Sequence, residues 1–429
     1  MRFDEAEARL DRRQPETMPE PSLDRIRAIA ELLDDPQLTF PTIHVTGTNG
    51  KTTIARTAAA VACAHGITTG LYTSPHLLTI RERLSVCGVD ISKDEFAEEW
   101  EHLEPFLEVV DAGQSGAATY FEAVTALAFL WFADKPIGLG VIEVGMGGSW
   151  DATNVVAGDV AVIGEVGLDH PELGSTVREV ATEKAGIVKA GKLVVVRAQP
   201  HEEALDVIEA RAAEMDATVR LEGRDWQIAA RVPAVGGQQF RVEGASSAYD
   251  ELFVPMFGEH AVANATAAIV AVEAALGHAL DPDATRAAIA GVRIPGRLEI
   301  AAREPTVLLD GAHNPAGAEA LARAMVEAFS WERLHVVLAV SSDKDLDGIV
   351  AALAPLADAW YAARNDSVRS FPVEHVAERI AAAGGRVADL GTVGEMLAAA
   401  RDAAAEGDVI LVTGSFYTVA DAHRALGGS

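Results

Sequence analysis

Short runs of β-branched residues alternate with alanine-rich stretches of helical period along almost the whole chain, and this alternation constrains the fold more than any other feature. A strand that is apolar at nearly every position must be covered on both faces, and a parallel sheet flanked by helices supplies that cover. Strands are expected at Thr42–Thr46, Gly140–Val144, Val160–Val166, Leu193–Arg197, Thr306–Leu309, His335–Val340 and Val409–Val412. Between about residues 217 and 253 the pattern becomes alternating, which predicts an antiparallel patch appended to the first sheet. The strand–helix alternation restarts after Arg297. A chain of 429 residues is also too long for one ordinary core, so two α/β domains are expected, 1–299 and 300–429.

The formal charge of −29 argues against general affinity for nucleic acid or an anionic membrane, because either polyanion would be repelled at long range. An anionic substrate must then be held by local positive charge and backbone donors. Cys63 and Cys87 are the only cysteines, too few for a disulfide framework or a four-cysteine zinc site, and both are expected as packing residues in a reducing cytoplasm. Residues Met1–Arg13 mix acidic and basic side chains without the apolar core of a secretion signal, and no uncharged run is long enough to span a bilayer. A cytoplasmic monomer is expected.

Gly47-Thr48-Asn49-Gly50-Lys51-Thr52-Thr53 follows an apolar strand and precedes the helical stretch Ile54–Ala64. Glycines let backbone N–H groups curl around phosphate, the helix N-terminus adds partial positive charge, and Lys51 can reach the outer phosphates. Thr52 offers a hydroxyl to Mg²⁺. Val45 stands where the longer P-loop pattern has glycine, so this is the shorter form of the loop. Two more clusters end strands: Glu143-Val144-Gly145-Met146-Gly147-Gly148 with Asp151-Ala152-Thr153-Asn154, and Gly167-Leu168-Asp169-His170. Strand C-terminal ends are where α/β sheets bind ligands, so Glu143 and His170 are candidate metal ligands.

Taken with Ser74-Pro75-His76-Leu77, Glu82-Arg83-Leu84, Thr119-Tyr120-Phe121-Glu122, Glu183-Lys184-Ala185-Gly186-Ile187, Pro295-Gly296-Arg297-Leu298, Leu309-Asp310-Gly311-Ala312-His313-Asn314-Pro315, Asp343-Lys344-Asp345 and Gly414-Ser415-Phe416-Tyr417, these motifs run in the order of the folylpolyglutamate synthase/dihydrofolate synthase family, which the chain resembles over nearly its whole length. That family lies in the Mur ligase superfamily. The resemblance implies an N-terminal P-loop ATPase domain, a Rossmann-like C-terminal domain and an active site between them. It implies ATP-dependent addition of L-glutamate to a folate or dihydropteroate carboxylate through an acyl phosphate. It also implies that Gly47–Thr53, Asn264, Arg297 and Asp310 hold ATP, that Thr52, Ser74, Glu143 and His170 hold Mg²⁺, and that Phe121, Asp151 and Ser415 contact substrate. His313 would lie near the transferred phosphate, and Lys184 would work as a carbamate. Ser149 and Trp150 depart from the arginine and leucine of many relatives, close to the acceptor. Two other readings fit part of the pattern: a Mur-type ligase acting on another carboxylate, and a P-loop nucleotide switch, which would not need the motifs at Asp310, His313 and Ser415.

Overall fold

The computed structural model describes residues 1–15, 21–113, 116–168 and 171–427. They divide into two compact units, one of residues 1–231, 239–254 and 263–292, the other of residues 232–238, 255–262 and 293–429.

The first unit is built on an eight-stranded sheet: β1 (Thr42–Thr46), β2 (Thr69–Tyr72), β3 (Leu84–Val86), β4 (Val89–Asp90), β5 (Leu139–Glu143), β6 (Val160–Ile163), β7 (Leu193–Val196) and β8 (Thr218–Leu221). Their spatial order is β4-β3-β2-β5-β1-β6-β7-β8. All pairs from β2 to β8 are parallel, and β3 is antiparallel to both β2 and β4. Every residue of β1 is buried. On one face, Trp100, Leu103 and Leu107 of helix Lys93–Asp111 join Val124, Leu127 and Phe132 of helix Tyr120–Asp134 in a core. A second core gathers Val180 and Ala181 of helix Val177–Ala185, Ala204 and Ile208 of helix Glu202–Glu214, and Val194 and Val196 of β7. Each such large apolar side chain contributes about 1.5–3 kcal/mol on burial.

Strands β9 (Gln227–Ala234), β10 (Gly237–Glu243) and β11 (Ala248–Val254) form a separate three-stranded sheet in the order β11-β10-β9. The expected antiparallel patch on the first sheet is therefore corrected. Helix Glu202–Glu214 gives the chain the crossover it needs to bring β8 back parallel to β7, and the next strands pair among themselves.

The second unit carries the sheet β12-β13-β17-β14-β15-β16, with β12 (Glu299–Arg303), β13 (Thr306–Asp310), β14 (Leu334–Leu338), β15 (Ala359–Arg364), β16 (Val387–Thr392) and β17 (Val409–Thr413). Only the β12–β13 pair in it is antiparallel. Its core gathers Leu308, Leu321, Met325, Val336, Leu338, Ile349, Trp360 and Leu411, with Phe257 and Phe329 packed against it. The rings of Phe257 and Phe329 lie 4.8 Å apart, so a residue far upstream belongs to this core.

Cys63 and Cys87 form a disulfide, with Cα atoms 5.7 Å apart, which corrects the expectation of two separate packing residues. Helix Lys51–Ala64 leads directly into β2, β3 pairs back on β2, and Cys87 donates its N–H to the Thr69 carbonyl. The ends of the helix and of β3 thus meet. Among the described residues no helix is long and apolar enough to cross a membrane.

Candidate active site

Strands β5 and β6 flank β1, with Val45 opposite Glu143 and Thr46 opposite Ile163. The three loops that leave their C-terminal ends are consequently neighbours, which is why motifs far apart in sequence converge.

After β1 the chain turns through Gly47 and Gly50, both at positive φ (156° and 81°). A Cβ on Gly47 would stand 3.1 Å from the Gly164 Cα, and one on Gly50 would stand 2.4 Å from the Asn264 Nδ2, so glycine is needed at both positions. Thr48 accepts an N–H from Gly167 (3.0 Å) and its hydroxyl donates to the Gly167 carbonyl (2.9 Å), fastening this loop to the one after β6. Helix Lys51–Ala64 starts immediately afterwards, with Thr53 buried in its first turn and Lys51 and Thr52 partly exposed.

Two amines converge on one acceptor: the Gly47 carbonyl receives the Lys51 ammonium at 3.1 Å and the Lys184 side chain at 2.9 Å. Lys184 is buried. It stands here as an amine donor, and the carbamate expected from the sequence is not supported.

Thr52, Ser74 and Glu143 come together as the sequence predicts. The Thr52 hydroxyl donates to Glu143 Oε1 at 2.8 Å, and the Ser74 N–H donates to Oε2 at 3.3 Å. Burial raises the Glu143 carboxyl above its ordinary range, against the pull of Lys51 and of these donors. A buried carboxylate beside two hydroxyl-bearing residues is an oxygen donor set of the kind a hard dication such as Mg²⁺ takes, so the residues present fit that ion. His170, the other expected ligand, lies outside the described residues.

Asp151 is buried and accepts the N–H groups of Met146 (2.9 Å) and Thr153 (3.0 Å) and the Thr153 hydroxyl (2.5 Å). Burial pushes its carboxyl up, and those donors oppose the shift. The Thr153 proton being given to Asp151, His44 Nε2 must donate to the Thr153 oxygen, 2.8 Å away. His44 is wholly buried and its Nδ1 has no hydrogen-bond partner among the described residues; burial, with help from Lys189, lowers its pKa to about 3, so the ring is neutral. Phe121 packs over Gly145, where a Cβ would stand 2.5 Å from the ring.

Asn264 is held by Arg197, whose Nη1 donates to Oδ1 at 2.9 Å while its other nitrogens pair with Glu222 (3.1 Å) and Glu165 (3.2 Å). Sequence reasoning assigned no role to His44 or Arg197, and it marked Thr153 only as part of the Asp151 motif. The one available signal was a cation closing the apolar run Leu193–Arg197.

In the second unit, β13 and β17 are adjacent and Asp310 faces Thr413, which brings the Asp310 and Ser415 loops side by side. Asp310 accepts the N–H groups of Leu298 and Ala312, both at 2.8 Å. Its carboxyl is raised by burial against the attraction of Arg297. The Arg297 guanidinium lies over the Phe416 ring, 4.6 Å from its centroid, and His313 Nδ1 is 2.9 Å from the Gly311 carbonyl. The Ser415 hydroxyl is buried, caps helix Phe416–Ala425 through the Thr418 N–H and receives Asn365 Nδ2 at 3.2 Å. That hydroxyl therefore has a structural duty the sequence did not announce.

Known proteins place the chain. The Mur ligase middle domain family matches residues 45–272, and the Mur ligase glutamate ligase domain family matches residues 296–416. A dihydrofolate synthase/folylpolyglutamate synthase of Mycobacterium tuberculosis is 40% identical over 450 residues, covering 97% of this chain and 92% of its own length. The chain belongs to that family of Mur ligases. The Escherichia coli synthase of the same description is 34% identical over 378 residues, covering 88% of this chain and 84% of its own. Among solved structures, Mycobacterium tuberculosis folylpolyglutamate synthase complexed with ADP superposes with a TM-score of 0.95 at 39% identity, covering 99% of this chain and 98% of that one. Escherichia coli FolC in complex with DHPP and ADP gives a TM-score of 0.89 at 29% identity, covering 100% and 98%. The synthase fold is thus present from end to end.

Proposed function

We propose that the chain is an ATP-dependent ligase that joins L-glutamate to a folate or dihydropteroate carboxylate. The observation that best supports this is the Lys51 ammonium folded onto the Gly47 carbonyl at the start of helix Lys51–Ala64, beside Thr52 and Glu143, in a chain whose overall charge repels anions. Local cations and helix N-terminal amides concentrate there what a triphosphate requires.

In the proposed reaction a carboxylate oxygen of the acceptor attacks the γ-phosphorus of ATP and ADP leaves. The glutamate amine then attacks the acyl carbon, phosphate departs, and the nitrogen loses a proton to give the amide. Negative charge grows on the phosphoryl oxygens in the first step, where the Lys51 ammonium and the amides of Gly47–Thr52 oppose it. Thr52, Ser74 and Glu143 would hold Mg²⁺, which when bound neutralises phosphate charge. We assign Asn264, which Arg197 steadies and which packs against Gly50, to the nucleotide. Phe121 and Asp151 are assigned to the acceptor, Asp151 with the Thr153–His44 chain behind it. For the second unit we assign Arg297 and Asp310 to the nucleotide, His313 to the transferred phosphate and Ser415 to the glutamate side, where Ser415 acts by capping its helix.

Lys184 carries the finer part of the proposal. Loss of one proton from its ammonium, attack of the free amine on the carbon of CO₂ and loss of a second proton from nitrogen would replace a second cation beside Lys51 by a carbamate anion and leave one N–H for Gly47. Lys184→Ala is then expected to lose most activity and to regain part of it with added formate. An inactive variant that formate does not rescue leaves the residue as an amine.

Mass spectrometry of products after incubation with ATP, glutamate and either dihydropteroate or tetrahydrofolate tests the whole reading. Mass increments of one glutamate with ADP formed in step are expected. Nucleotide hydrolysis that is indifferent to glutamate and to every acceptor would overturn it.

A further inference from the structure

Where helix Lys93–Asp111 meets the end of helix Tyr120–Asp134, a carboxylate oxygen of Glu99, a ring nitrogen of His102 and a carboxylate oxygen of Asp134 all lie within 4.8 Å of one another. Glu99 and His102 are three residues apart and project from one face of their helix. Asp134 is the last residue of its own helix, where the dipole disfavours negative charge. Exposed acids often gather without consequence, but Glu99 is different. It is only 8% exposed, and its Oε2 is shut off from solvent with no hydrogen-bond donor among the described residues. A carboxylate oxygen buried without a donor is costly to ionise, and a bound cation would remove that cost. The nearby cation, Lys135, is engaged with Glu95 at 2.5 Å. Burial chiefly, with smaller contributions from Asp134 and Glu98 and against the pull of Lys135, raises the Glu99 carboxyl to about 7.

We propose that Glu99, His102 and Asp134 form a binding site for a divalent transition-metal ion of the Zn²⁺ type. Imidazole favours such an ion over Mg²⁺ or Ca²⁺, and one nitrogen with two carboxylates leaves a fourth, tetrahedral position for water. Bonds of about 2.0–2.2 Å require the three ligand atoms to draw closer than they stand, and His102 and Asp134 are exposed and can turn to do so. The His102 ring rests edge-on against Phe106, 6.0 Å between centroids, which limits its orientations. Helix Tyr120–Asp134 has 15 residues, so Asp134 lies about 20 Å from the Phe121 end. The ion would cross-link two core helices and take no part in ligation.

The test uses the full chain, stripped with chelator and titrated calorimetrically with Zn²⁺, alongside His102→Ala and Asp134→Asn, whose exposed side chains are not needed for folding. Wild type should bind one equivalent more than either variant and melt several degrees higher when saturated, an increment absent from both. Co²⁺ should give visible absorption bands in wild type that the variants lose. Glu99→Gln separates charge from shape: it should melt higher than metal-free wild type yet gain nothing from Zn²⁺. Equal stoichiometry in wild type and variants, or a Zn²⁺-dependent rise that survives in Glu99→Gln, would overturn the site.

Discussion

Gly47 gives its carbonyl to two lysines and its missing Cβ to the Gly164 backbone, so one residue sets both the charge and the shape of the phosphate loop. Lys51 is only partly buried and packs little, and its loss should touch chemistry and not folding. Lys51→Ala is expected to keep the wild-type melting temperature and to slow ligation by about 10²–10³-fold, the usual effect of deleting one charge-assisted contact in a transition state. Steady-state rates with a parallel melting curve check this, and a folded variant turning over at the wild-type rate would refute the ATP-site assignment. Lys51, Thr52 and Glu143 were legible because local spacing and strand-end position announce them. His44 and Arg197 were not, since their partners lie 109 and 67 residues away and nothing local marks the pairing.

Helix Tyr120–Asp134 shows how an element can be specified by its first turn. Thr119 accepts the Glu122 N–H, Glu122 accepts the Thr119 N–H at 2.8 Å, and both Glu122 oxygens receive the Arg25 Nε. This capping box is legible as a sequence pattern, but its buried arginine comes from another helix, Asp24–Leu32. Arg25→Ala strands the Glu122 carboxylate, and such a loss is expected to destabilise the first unit by about 3–5 kcal/mol. Chemical denaturation with the helix followed by circular dichroism measures it; an unchanged midpoint would mean that the cap alone suffices. Among strands, the long β-branched runs were readable. β2, with a glycine, and β15, with three alanines in Ala359–Arg364, were not, because alanine in isolation speaks for helix and only the parallel neighbours β14 and β16 draw it into a sheet.

The molecule as a whole holds part of its acid stability in the second unit, at Asp408. Burial alone would raise this carboxyl, but the Ala405 N–H, Arg333 and His335 more than offset that and hold it at about 2, below the ordinary 3.8. A depressed folded-state pKa means stability present above the unfolded value and lost as pH falls from about 4 through 2. The melting-temperature gap between wild type and Asp408→Asn should be constant above pH ~5 and close across that window. The same unit also reaches back into the sequence, since residues 232–238 and 255–262 belong to it and Phe257 packs on Phe329. A fragment of residues 300–429 lacks those pieces and is expected to bind a hydrophobic dye and to melt without a sharp transition, whereas full-length protein shows neither behaviour.

That interleaving has a consequence for biosynthesis. The ribosome delivers Phe257 and its neighbours long before Phe329 exists, so the nascent polypeptide carries an unmatched aromatic ring while its amino-terminal portion is already folding. Chaperone contact with the growing chain should accordingly peak around Phe257 and end when the sequence through helix Pro315–Ala328 and Phe329 has emerged, a window that ribosome-associated crosslinking can time.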